Sequence, residues 1–137
     1  AVIGVPITYV TSVIDVKDTE FSRFVVTDGT RTSIDPLMTK NQYFHSFNME
    51  GQRELHPRQI ICGYTCMEHD RLFEEKNGPT LQCGDQIIYD KVGAYTMCLT
   101  PLFIKYFPDV YVESNGNIKK VRNAWTPNEY VQLSELE

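Results

Sequence analysis

The chain has 137 residues, of which 42% are hydrophobic and 12% aromatic, and a formal net charge of −5. That size and apolar content suit one globular domain with its own core and exclude a disordered chain. The basic residues form no cluster, which argues against nucleic acid as a partner, and no apolar run approaches the roughly 20 residues of a bilayer span, so no membrane partner is expected.

No charged amino-terminal region precedes an apolar core and cleavage site, so no signal peptide is expected. The chain opens at Ala1, without an initiator Met and inside an apolar run, which reads as a cut within a longer protein. Cys62, Cys66, Cys83 and Cys98 could form two disulfides. A domain of this size folds without such staples, and nothing signals export, so reduced thiols and a cytoplasmic location are expected. Cys62 and Cys66 have a C-x3-C spacing, but no second Cys or His pair follows at finger-like spacing, so no metal is expected.

In chain order, Ile7 to Lys17 is apolar and β-branched and predicts a strand. Phe21 to Thr27 predicts a second strand, closed by a turn at Asp28-Gly29. Ser33 to Leu37 reads as a loop, because Pro36 pushes Asp35 out of helical space. Gln42 to Met49 alternates aromatic and polar residues, as a half-buried strand does; Asn48 to Pro57 is polar and reads as a loop; Gln59 to Tyr64 predicts a short buried strand. Arg71 to Asn77 is charged and reads as a helical turn or an extended linker, broken at Asn77-Gly78-Pro79. Gln86 to Asp90 predicts a strand, and Tyr95 to Leu102 either helix or buried coil. Asp109–Glu113 and Ile118–Arg122 form a hairpin about Asn115-Gly116-Asn117. Thr126-Pro127-Asn128-Glu129 carries helix-start chemistry, with Thr126 as cap, and predicts a closing helix through Leu133 to Leu136. About seven short strands with little helix describe a mainly β protein, a barrel or sandwich with a short C-terminal helix.

Five short motifs keep one order along almost the whole chain. They are Val25-Val26-Thr27-Asp28-Gly29; Gly63-Tyr64-Thr65-Cys66-Met67-Glu68-His69-Asp70; Gly84-Asp85; Gly93-Ala94-Tyr95-Thr96; and the later Phe103. With the strand over residues 7–17, they resemble the carboxy-terminal β domain of the alanine-racemase-fold, pyridoxal-phosphate-dependent amino-acid decarboxylases. That group includes the diaminopimelate, ornithine and arginine decarboxylases. The resemblance implies a bilobal subunit in which a separate N-terminal (β/α)8 barrel holds the cofactor on a Lys. It also implies a homodimer with active sites between the barrel of one subunit and the β domain of the other, acting on a small amino-acid substrate. Residues 1–137 would be the C-terminal β domain alone, with the pyridoxal phosphate anchor and barrel absent from this chain and the isolated domain inert.

Carried over residue by residue, the resemblance gives Tyr95 a hydrogen bond to the cofactor phosphate; the alternative is a core tyrosine with a satisfied hydroxyl. It makes Cys66 the catalytic thiol, poised to deliver a proton after carbon dioxide leaves; the alternative is a small buried hydrophobe. Met67, Glu68, Asp70, Phe103 and Arg31 fall on the substrate side. Asp70 could instead fix its loop by accepting backbone hydrogens. Met67 departs from the family, whose members acting on diamino acids carry Glu or Asp there to pair with a distal ammonium. Glu68 could substitute after a local shift. Asp35-Pro36 departs from an Arg-Pro that binds a distal carboxylate; Arg31 could serve, or be an exposed loop residue. Tyr64 replaces the usual Pro, and His69 reads as a substrate contact or a solvated surface residue.

The leading expectation is the β domain of a pyridoxal-phosphate-dependent α-amino-acid decarboxylase. A non-catalytic regulatory homologue and an unrelated β-barrel binding module stand as alternatives.

Overall fold

The computed structural model describes residues 6–132. It divides into two compact units, Ala1–Pro101 and Leu102–Glu137.

The first unit is one six-stranded sheet. Its strands are β1 (Tyr9–Asp18), β2 (Arg23–Thr27), β3 (Phe44–Asn48), β4 (Leu55–Cys62), β5 (Arg71–Pro79) and β6 (Gln86–Asp90), ordered β3-β6-β1-β2-β4-β5. Neighbours are antiparallel except β2 and β4, which run parallel with Val25 opposite Ile61. Every second residue faces inward, as the pleat requires. Val13, Val25, Ile61, Leu72, Ile87 and Tyr89 are thereby buried, and Ile34, Leu81 and Val92 join them from the connections. The sheet is curled, with a register irregularity between Val13 and Asp15 of the kind that bends a strand. As a result the two edge strands approach each other. His45 of β3 stacks on Phe73 of β5 at 4.2 Å between ring centroids, and its Nε2 lies 3.4 Å from the Glu75 carboxylate. Side chains, not a backbone ladder, close this half-barrel.

Register fixes which loops share an end. Because β2 and β4 are parallel, the segments leaving Thr27 and Cys62 emerge together. β1 is antiparallel to β2, and its first residue, Tyr9, pairs with Tyr89 near the end of β6. The connections after β2, β4 and β6 therefore lie at one end of the half-barrel.

Two expectations fail along β4 and β5. β4 begins at Leu55 rather than Gln59 and contains Pro57. Its pairing with β2 starts only at Gln59, so no ladder partner on that side needs the N–H that proline lacks. The charged Arg71–Asn77 stretch is neither a helical turn nor a linker but most of β5, which runs through Asn77-Gly78 to pair Pro79 with Leu55. An edge strand tolerates both the charges and the terminal proline. Leu72 and Phe73, inside that charged run, are core residues.

Beyond β6, α1 (Thr96–Leu99) is a single turn whose Met97, Cys98 and Leu99 are exposed, so it is not buried coil. The second unit holds a hairpin of β7 (Val110–Ser114) and β8 (Asn117–Arg122) about Asn115-Gly116, both left-handed as a two-residue turn of this type requires. Phe107 meets Trp125 edge-on at 4.9 Å, and Asp109 accepts from Lys120 and the Ala124 N–H. α2 (Pro127–Val131) starts with Thr126 and Glu129 forming the expected capping box. The expected helical stretch Leu133 to Leu136 lies outside the described residues.

Candidate active-site edge

At the shared end of the half-barrel, Cys66, Met67, Glu68 and His69 are exposed in sequence, flanked by buried Thr65 and Asp70. The four residues Met67–Asp70 form a turn, closed by the Asp70 N–H donating to the Met67 carbonyl at 3.0 Å. Glu68 and His69 occupy its tip. The turn is tied down at both ends. The Gly63 N–H donates to the Asp70 carbonyl at 2.9 Å, and the Tyr64 N–H donates to the Gly29 carbonyl at 3.0 Å.

Asp70 is the post on which this loop hangs. It is 2% exposed, and both carboxylate oxygens are occupied. Oδ1 accepts from the Thr30 hydroxyl at 2.9 Å and the Arg31 N–H at 2.7 Å; Oδ2 accepts from the Thr65 N–H at 3.1 Å and the Thr65 hydroxyl. Its oxygens are taken up by donors of this chain, which supports the loop-fixing reading. A Cβ on Gly63 would overlap this carboxylate, which explains the glycine. Two tyrosines near Asp70 remain phenols. Burial pushes Tyr64 up to about 12, with the charge on Asp70 adding to it, and burial likewise raises Tyr9.

Arg31 is not an exposed loop residue. Its side chain is 14% exposed, and its guanidinium pairs with Asp35 at 3.2 Å and donates to the Lys40 carbonyl at 2.7 Å. The reason is Asp35, buried in the loop at 3% exposure, where it also accepts from the Thr39 and Lys40 N–H groups and the Tyr43 hydroxyl. Burial alone would raise the Asp35 pKa, but those N–H groups and Arg31 outweigh it and hold the carboxyl below its ordinary value. Asp35 takes that cation for itself, so the loop that follows Thr30 is a closed, internally satisfied unit.

Tyr95 sits on a strained turn. Its φ of 66° is left-handed, a conformation costly for a large side chain, and yet the ring is 61% exposed rather than packed. Among the described residues its hydroxyl has no partner. The turn is held from behind: the Thr100 hydroxyl donates to the Thr32 carbonyl at 3.1 Å and also reaches the Thr96 carbonyl. The short segment Thr30–Thr32 is thus bonded on one side to the Cys66 loop, through Asp70, and on the other to the Tyr95 turn, through Thr100. Sequence reasoning did not single out Thr30, Thr32 or Thr100, since isolated threonines carry no spacing signal.

The site therefore offers one exposed thiol, one exposed phenol and a thioether, Met67, on a hydrogen-bonded frame. Among the described residues the Cys66 thiol has no hydrogen-bond partner, which leaves it able to give or take a proton at Sγ. Phe103 belongs to the second unit, where it is half exposed.

A family described as "Pyridoxal-dependent decarboxylase, C-terminal sheet domain" matches residues 6–93, more than half of the chain. The match ends at Gly93, so Tyr95 and Phe103 fall outside it. No curated protein sequence matches. Solved structures do. A diaminopimelate decarboxylase from M. jannaschii in complex with L-lysine aligns at a TM-score of 0.77 and 16% identity, covering 95% of this chain and 30% of that one. The Helicobacter pylori diaminopimelate decarboxylase complexed with L-lysine aligns at 0.74 and 19%, covering 92% and 31%. A lysine/ornithine decarboxylase from Vibrio vulnificus complexed with cadaverine aligns at 0.61 and 28%, covering 70% and 26%. The chain spans about a third or less of the length of these solved decarboxylases.

Proposed function

This chain belongs to the pyridoxal-dependent decarboxylase C-terminal sheet domains, and we propose that it forms part of an α-amino-acid decarboxylase, completing an active site begun by an N-terminal barrel that carries the cofactor lysine. The observation that carries the reading is Tyr95: a large side chain held in left-handed backbone with its ring and hydroxyl exposed, at the same end of the half-barrel as the exposed Cys66. Strain without packing in return is the signature of a residue kept for contact with something else.

Pyridoxal phosphate fits this edge as far as one donor goes, since the Tyr95 hydroxyl is exposed and can donate to a phosphate oxygen. When bound, the cofactor supplies the electron sink for loss of the α-carboxylate as carbon dioxide. Cys66 then holds the proton at Sγ that the product carbon requires, and the Asp70 post keeps that thiol on a loop with few ways to move. Met67 lines the substrate side with an apolar thioether. It cannot pair with an ammonium, and an unpaired ammonium that loses its water is costly. The preferred substrate thus has a distal end other than a free amine, in contrast to the amines named in the solved complexes. Glu68 is the nearest exposed acid in sequence.

The reading extends to a homodimer in which each active site draws on two subunits, in amino-acid metabolism. A cytoplasmic location is supported by four free cysteines, three of them exposed. The family match sets aside an unrelated β-barrel module, and the exposed thiol and phenol favour a catalytic protein over a regulatory homologue. The test is carbon dioxide release by the full-length protein from a panel of α-amino acids with and without added pyridoxal phosphate. Cofactor-dependent release is expected, and none from any amino acid would refute the reading.

A further inference from the structure

We propose that Thr30 and Asp70 are positioning residues that set the Cys66 thiol relative to the Tyr95 hydroxyl. This rests on the catalytic reading of that edge but names residues that reading does not need. Three observations carry it. First, the Thr30 hydroxyl and the Arg31 N–H both converge on one Asp70 oxygen, while Thr65, the residue before Cys66, spends its N–H and hydroxyl on the other. Cys66 is therefore one residue from a fully bonded anchor. Second, Thr32, two residues from Thr30, receives Thr100 from the Tyr95 turn, and the Thr30 and Thr32 hydroxyls lie 3.3 Å apart. Third, the segment between these bonds is a 3-10 turn, Arg31–Ser33, closed by its own backbone bonds from Ser33 and Ile34 and by the Arg31–Asp35 pair. A compact turn bonded on both sides transmits position; a loose loop would not.

Asp70 is buried among neutral donors. Each hydrogen bond to an ionised group is stronger than a neutral one, so losing one donor loosens the loop without emptying the core. The thiol would then sample more positions, and Met67, the next residue of the same loop, would move with it. The expected signature is a loss in kcat together with an altered reactivity of the Cys66 thiol itself.

The experiment uses the full-length enzyme with Thr30→Val, which keeps the shape but removes the hydroxyl, and Thr30→Ser, which restores it. Two readouts are taken: kcat and KM for the substrate, and the rate of iodoacetamide alkylation at Cys66 by peptide mass mapping. Cys83, exposed beside Gly84 where β6 begins and so at the opposite end of the half-barrel, is the internal control. Thr30→Val should lower kcat by about tenfold. It should change the Cys66 alkylation rate by about two- to tenfold with Cys83 unaltered, and Thr30→Ser should return both to the original values. An unchanged Cys66 rate and kcat would overturn the proposal. So would a parallel rise at Cys83, which would make Thr30 a general stabiliser. The alkylation readout stands whether or not the protein decarboxylates anything, so failure here is separable from failure of the proposed activity.

Discussion

Gly63 lies against the Asp70 side chain so closely that a Cβ would overlap all three of its carboxylate atoms. The two residues also share a backbone bond, Gly63 N–H to the Asp70 carbonyl. Gly63→Ala must therefore push the carboxylate off its four donors or shift the strand end. We expect a loss of about 1–3 kcal/mol, the usual cost of overpacking, read as a lower urea midpoint with an unchanged slope. A midpoint equal to the parent's would show that the loop has room to yield.

Asp35 gives the acid side of the stability curve a specific handle. Its folded pKa is held below the unfolded value. The stability it contributes is therefore present above the unfolded pKa, about 4, and is lost as pH falls through the folded one. Urea midpoints of the parent and Asp35→Asn should differ most near pH 6–7 and converge well below pH 4. A constant difference across that range would mean that Asp35 acts through packing, not charge.

Much of the fold was legible because alternation and turn chemistry are local. Ile7 to Lys17, Gln86 to Asp90, the Asn115-Gly116 turn and the Thr126 cap all stand where their residues predict them. β5 was not legible. Arg71 to Lys76 is charged because it is an edge strand, and only its pairing with β4 shows that Leu72 and Phe73 face the core. At the site, motif spacing pointed to the Cys66 loop and the Tyr95 turn but not to what binds them together. The Thr30–Asp70 and Thr32–Thr100 bonds join residues 40 and 68 positions apart, and no local pattern marks such a pair. The burial of Arg31 is hidden for a similar reason: Asp35 reads in the sequence as a departure from a binding motif, and only the fold shows it as a buried acceptor that pairs with Arg31.

Tyr95→Phe removes one exposed oxygen and nothing from the core. The full-length protein should unfold at an unchanged urea concentration but hold pyridoxal phosphate about 10- to 100-fold more weakly, as expected for loss of a hydrogen bond to a charged group. Fluorescence titration of the apoprotein measures this. Equal affinity would remove Tyr95 from the phosphate.

Met67→Glu should shift substrate preference. Relative to an amino acid whose distal end is not an amine, kcat/KM on lysine or ornithine should rise about tenfold or more, because a carboxylate can pair with the distal ammonium. Efficient turnover of those diamino acids by the unsubstituted enzyme would contradict the inference from Met67 and make Glu68 the ammonium partner.

The most direct test of the account is the steady-state rate of carbon dioxide release by the full-length protein with pyridoxal phosphate, before and after Cys66→Ala. If this sheet domain places its thiol at the reacting carbon, the substitution slows release by about 10²–10⁴-fold while the cofactor stays bound. A Cys66→Ala protein that decarboxylates at the parental rate, with the same product, would contradict the placement of the active site on this edge.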